Sequence, residues 1–126
     1  MQSIALGSSS SVEVITGFTA TNQTIDAVAA PPGWHVIGSF YMPSPTNVVL
    51  EMLGLVSAIT NALTARLFCV DTALPVSGSI TATIASMIDT RVVSGSFFLT
   101  GGRTYQMQAQ VIGASGFGLI RSATIS

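Results

Sequence analysis

His35 is the single histidine of this chain and Cys69 its single cysteine, and the acids are Glu13, Asp26, Glu51, Asp71 and Asp89. With sixteen serines, these are the main stock for nucleophilic, acid–base or metal chemistry. A hydrolase triad would need His35 as base, a serine as nucleophile, and Asp26, Asp71 or Asp89 to orient the imidazole. The strained Gly-x-Ser-x-Gly elbow that would expose such a serine is absent, since Ser77-Gly78-Ser79 and Ser94-Gly95-Ser96 lack the first glycine at the right place. His35 follows Pro31-Pro32-Gly33-Trp34, which puts it at a strand start with its tip in water. Cys69 stands in Leu67-Phe68-Cys69-Val70, where nothing local supplies the base or cation that makes a thiolate, so it reads as a small core hydrophobe.

Metal chemistry needs clustered ligands. One His, one Cys and scattered acids give none, apart from a calcium site that loop carbonyls could build with Asp71 or Asp89. A glycosidase pair needs two carboxylates at a fixed separation in a cleft, and the spacing singles out no such pair. Gly113-Ala114-Ser115-Gly116-Phe117-Gly118 has the wrong order for a phosphate-binding loop and precedes a strand rather than a helix. The expectation is a non-enzymatic chain with no catalytic residue, no metal and no cofactor. Trp34, Phe40, Tyr41 and Tyr105 could form a carbohydrate-stacking platform, but large aromatics more commonly fill a core or a subunit interface. Trp34 and Tyr41 are the glycan-binding candidates of that alternative, in which the chain is a carbohydrate- or receptor-binding module.

The backbone that must position these groups is read from composition and periodicity. The chain has 126 residues, 48% hydrophobic and 7% charged, with four arginines and no lysine. An ordinary soluble domain carries about 25% charged residues. So apolar a chain is not disordered. So few cations do not suit a duplex nucleic-acid partner. The longest apolar stretch, residues 48–59, contains Glu51 and falls short of the ~20 residues of a spanning helix. Residues 1–7 lack the basic region and long apolar stretch of a signal peptide, so no secretion by that route is expected, and Asn22-Gln23-Thr24 is not expected to be glycosylated.

Residues 1–11 end in four serines and read as a flexible N-terminal arm, leaving residues 12–126 as a single β-sandwich domain. Period-two alternation dominates that domain. Tyr105, Met107, Ala109 and Val111 fall on one face of residues 104–111, and Thr104, Gln106, Gln108 and Gln110 on the other. Ile80, Ala82 and Ile84 alternate likewise. Near the end, Leu119, Ala123 and Ile125 share a face that also carries Arg121, which suggests an edge or an interface. Gly101-Gly102 and the 113–116 turn read as tight hairpins. Strands are expected near 12–18, 23–28, 34–42, 47–57, 63–70, 78–86, 91–100, 103–112 and 117–125, with a short helix at 57–63 as the competing assignment. About eight short strands at such spacing indicate an all-β sandwich or jelly roll.

The outward positions are Thr, Ser, Gln and Ala, and residues 48–59 and 97–99 are apolar on both faces. Strands apolar on both sides must be covered on both. A chain of this length has no spare layer, so a homo-oligomer is expected.

Residues 96–111, Ser-Phe-Phe-Leu-Thr-Gly-Gly-Arg-Thr-Tyr-Gln-Met-Gln-Ala-Gln-Val, and 118–125, Gly-Leu-Ile-Arg-Ser-Ala-Thr-Ile, resemble the final hairpins of small β-sandwich virion proteins of tailed bacteriophages. That group includes capsid decoration (cement) proteins, head fibres and tail-fibre tips. The resemblance implies a non-enzymatic viral structural protein, a homotrimer placed on a virion and bound to the major capsid protein or another virion protein, with residues 1–11 as a docking arm. It implies no nucleic-acid or membrane partner and carries over no site residue.

Overall fold

The computed structural model describes residues 18–126, with side chains from Thr21 onward. Among these residues there are ten β-strands and no helix. They are β1 (Phe18–Val28), β2 (His35–Met42), β3 (Thr46–Val48), β4 (Leu50–Val56), β5 (Ala62–Cys69), β6 (Leu74–Pro75), β7 (Thr90–Val93), β8 (Phe97–Leu99), β9 (Arg103–Ile112) and β10 (Phe117–Ile125). The all-β expectation is met. The expected arm and the expected strand at 12–17 lie outside the described residues.

The main sheet runs β6-β5-β9-β1-β10-β4-β7, with β2 also paired to β9, and β3 and β8 form a separate two-stranded sheet. Pairing is antiparallel except where Ala27 and Val28 of β1 meet Val111 and Ile112 of β9 in parallel. β1 therefore serves two neighbours in turn: residues 18–26 pair with β10, and its last two residues pair with β9. That transfer lets the sheet curl around one core. Leu63, Leu67 and Cys69 of β5 face Met107, Tyr105 and Val111 of β9, with Leu50, Met52, Val56, Ile120 and Ile125 from β4 and β10, and all are buried. Each fully buried side chain of this kind stabilises the fold by about 1.5–3 kcal/mol.

Alternation assigns the inward face of β9 correctly, with Tyr105, Met107, Ala109 and Val111 buried, because β9 contains no register shift of its own. It fails on β10. There the register against β4 slips by one between Ile120 and Ser122, so Arg121 is an extra residue. Such a bulge flips the parity beyond it. Ile120, Ala123 and Ile125 are buried together, whereas Leu119 lies on the outer side and is half-buried. Opposite Arg121, Asn22 of β1 has φ 54°, a conformation asparagine tolerates. A second bulge on β2, between Val36 and Gly38, turns Ile37 into the core.

Several expected elements differ. Residues 47–57 divide at Val49: β3 pairs with β8 in the small sheet, while β4 joins β10 and β7. Residues 91–100 divide in the same way into β7 and β8. Residues 57–61 form a turn, not a helix. Neither glycine turn closes a hairpin. β8 pairs with β3 rather than β9, and the end of β1 lies between β9 and β10, with Val28 O accepting from Gly113 N–H at 2.9 Å.

Residues 78–86 form no regular strand, and of the positions expected inward only Ile84 is buried, whereas Ile80 and Ala82 are exposed and Ser79 and Thr81 are buried, because residues 76–84 run along the edge of β5 and satisfy it. Val76 N donates to Leu67 O and Thr81 N to Ala65 O, and Leu63 and Ile84 exchange backbone bonds. Between these contacts the acceptors are hydroxyls: Ser79 Oγ receives Leu67 N–H at 2.9 Å, and Thr81 Oγ1 receives Ala65 N–H at 3.1 Å. Side chains replace backbone at two rungs, which keeps the segment from continuing as a ladder and leaves no open β5 edge for another chain.

Candidate functional site

The outer face of β2, β9 and β5 gathers the polar and aromatic residues that alternation points outward. Register places Val36 beside Gln108 and Gln108 beside Arg66. It then places Ser39 beside Gln106 and Gln106 beside Phe68, and finally Tyr41 beside Thr104. Successive outward rows lie roughly 7 Å apart and neighbouring strands roughly 5 Å apart.

Trp34 closes one end of this face. The segment between β1 and β2 crosses the outer side of β9, and Gly33 N–H donates to Gln110 Oε1 at 2.9 Å. A Cβ on Gly33 would lie 2.4 Å from Val28 Cγ2, so the crossing demands glycine. The Arg66 guanidinium sits over the Trp34 ring at 4.2 Å from its centroid and 5.8 Å from that of Phe68. Its Nε donates to Gln108 Oε1 at 2.9 Å, and Gln108 Nε2 donates to Gln106 Oε1 at 3.2 Å. Burial lowers the Arg66 pKa from its ordinary value, and arginine remains protonated.

The four aromatics considered as a platform divide. Phe40 and Tyr105 stack on each other inside the core, with centroids 5.8 Å apart. Trp34 and Tyr41 lie on the outer face described above, Tyr41 half exposed at 50%. Arg66 escaped the sequence reading. The available signal was its outward position in Thr64-Ala65-Arg66-Leu67-Phe68, combined with the outward glutamines of β9.

The residues weighed for catalysis are dispersed. His35 is exposed at the start of β2 opposite Ala109, whereas Cys69 on β5 pairs with Tyr105, four residues along β9 and two strand spacings across, so roughly 16 Å away. Asp71 accepts Thr104 N–H at 2.9 Å, Asp89 pairs with Arg121 at 3.2 Å, and Glu51 pairs with Arg91. No group of three potential metal ligands occurs among the described residues. Cys69 borders a hollow of about 270 Å³ with Thr72, Phe98, Arg103 and Tyr105. Burial pushes the Cys69 thiol up, but hydrogen bonds from Thr72, the Asp71 backbone and Arg103 together bring it below its ordinary value. The sulfur remains enclosed at 4% exposure, with no imidazole beside it.

The outer face of β4, β7 and β10 has a different character. Leu53 and Leu55 of β4 point outward, with Leu119 of β10 beside Leu55 and Val93 of β7 beside Glu51. Val93 is 51% exposed, and Ile88 in the preceding segment is 73% exposed. Two ion pairs, Arg91–Glu51 and Arg121–Asp89, lie along this surface.

No family model matches the sequence, and no curated protein matches it.

Proposed function

We propose that this chain is a non-enzymatic assembly subunit, a virion structural protein that self-associates as a trimer and decorates or cements a phage capsid. In this reading the curled sheet is a jelly-roll-type sandwich whose two halves meet at β1. The observation that carries it is the outer face of β4, β7 and β10, where Leu53, Leu55, Leu119 and Val93 stand on one surface. The four charges on this surface are matched as Arg91–Glu51 and Arg121–Asp89, so they add no net charge that would repel a second copy. A second copy or a capsid subunit that covers this surface would gain the hydrophobic free energy of that area and would stabilise the particle by mass action. The virion context rests on the resemblance of residues 96–111 and 118–125.

Multi-angle light scattering across a dilution series tests the reading. The expected mass is that of a trimer, and Leu55→Glu, which sets a carboxylate in the middle of the apolar face, is expected to yield folded monomer. A dilution-stable monomer for the unaltered chain would refute it.

A further inference from the structure

We infer that the outer face of β2, β9 and β5 is a binding site for a carboxylate-bearing saccharide, with Arg66 as the carboxylate anchor. The site lies on a different face from the assembly surface and does not depend on it.

Charge comes first. Among the described residues Arg91 and Arg121 are each paired with an acid, while Arg66 and Arg103 are in no ion pair, and Arg103 borders the hollow beside Cys69 rather than this face. The recorded contacts of Arg66 are two aromatic rings and the neutral oxygen of Gln108, made through Nε. That arrangement fixes the plane of the guanidinium and leaves both Nη groups without a hydrogen-bond acceptor among the described residues. A planar, pre-oriented fork of this kind matches a carboxylate in bidentate fashion. The aromatic rings partly desolvate the cation, which strengthens its attraction for an incoming anion.

The remaining surface fits a sugar better than a bare acid. Beyond Arg66 the face offers Gln106, Ser39 and Tyr41 in adjacent rows on β9 and β2. Amides and hydroxyls both donate and accept, as the vicinal hydroxyls of a sugar ring require. Gln106 Oε1 accepts from Gln108, and among the described residues its amide NH₂ has no hydrogen-bond acceptor. The exposed Tyr41 ring and the half-buried Phe68 ring supply apolar surface for the C–H face of the sugar. From the Arg66 row to the Tyr41 row the shelf is roughly 13 Å long, and from β2 to β5 roughly 10 Å wide, with Trp34 as its end wall. A nucleic-acid strand would need further cations along such a track, and Arg66 is the one arginine on these outward rows.

Titration followed by amide NMR tests the site, with 3′-sialyllactose and a glucuronate-containing hyaluronan tetrasaccharide as acidic probes and lactose as the neutral match. At least one acidic probe is expected to shift the amides of Ser39, Tyr41, Arg66 and Gln106 at millimolar concentration, more weakly at high salt, with no response to lactose. Arg66→Gln is expected to weaken binding about tenfold or more, the loss of a charge-assisted bond. Arg66→Lys keeps the charge without the fork and is expected to fall in the same direction. Tyr41→Ala, at an exposed position, guards against misfolding at Arg66 and is expected to weaken binding while leaving the spectrum otherwise native. Arg121→Gln is expected to bind like the unaltered chain. Lack of response to either acidic probe, an equal response to lactose, undiminished binding by folded Arg66→Gln, or capture of an acidic peptide in preference to the sugars would each overturn the assignment.

Discussion

Replacing Thr81 by valine isolates the hydroxyls that close the edge of β5. Valine keeps the shape of threonine and removes one oxygen. In the native fold Thr81 Oγ1 accepts Ala65 N–H at 3.1 Å, and Thr81 itself is buried at 5% exposure. The variant leaves the Ala65 N–H buried without its acceptor, which costs about 1–3 kcal/mol. Ser79→Ala does the same to Leu67 N–H, whose acceptor is Ser79 Oγ at 2.9 Å. Simple addition would put the double variant at about 2–6 kcal/mol, a large share of the 5–15 kcal/mol typical of a domain. Ala65 and Leu67 are neighbours on one face of one strand, so the two effects are expected to couple rather than add. Urea unfolding should report a lower midpoint with an unchanged slope, and the melting temperature should fall by about 3–6 °C per kcal/mol. Native-state hydrogen exchange should quicken at Ala65 in the first variant and at Leu67 in the second. Thr83→Val, at an exposed position of the same segment, is the reference. If Thr81→Val stays within about 0.5 kcal/mol of that reference and Ala65 exchange is unchanged, the hydroxyls are not what satisfies this edge.

Two further outcomes follow from local geometry. Gly116 has φ 98°, and a Cβ there would lie 2.3 Å from Ser57 Oγ, the acceptor of Phe117 N–H. Gly116→Ala is expected to cost about 2 kcal/mol or more in chemical denaturation, from backbone strain plus the disturbed hydrogen bond. Burial raises the Tyr105 pKa, against the partly opposing hydrogen bonds at Thr100, to which its hydroxyl donates and from whose N–H it accepts at 3.0 Å each. A folded-state pKa above the unfolded one gives stability that is complete below the ordinary tyrosine value near 10 and is lost as pH rises through the folded value. Stability measured against pH should therefore decline in the alkaline range, and Tyr105→Phe should flatten that decline.

The inward face of β9 was legible because alternation is a property of consecutive residues, and a strand without a bulge obeys it along its whole length. Tyr105, Met107, Ala109 and Val111 could be placed in the core without knowing any partner strand. The same reasoning misplaced Leu119, since the extra residue at Arg121 reveals itself only against the register of β4. It also read hairpins at two glycine turns. A turn fixes a local reversal, but whether its flanking strands pair depends on which distant strand competes, and β1 and β3 win those places. The candidate site divides in the same way. Composition and alternation already placed few charges, outward glutamines and the aromatics Trp34 and Tyr41 in this chain. Only the tertiary structure sorted Tyr105 and Phe40 into the core, and only it brought Trp34 across β9 onto Arg66. That stack joins a residue of the β1–β2 connection to one on β5 across β9, so it exists as a product of long-range packing and has no spacing in the sequence to announce it.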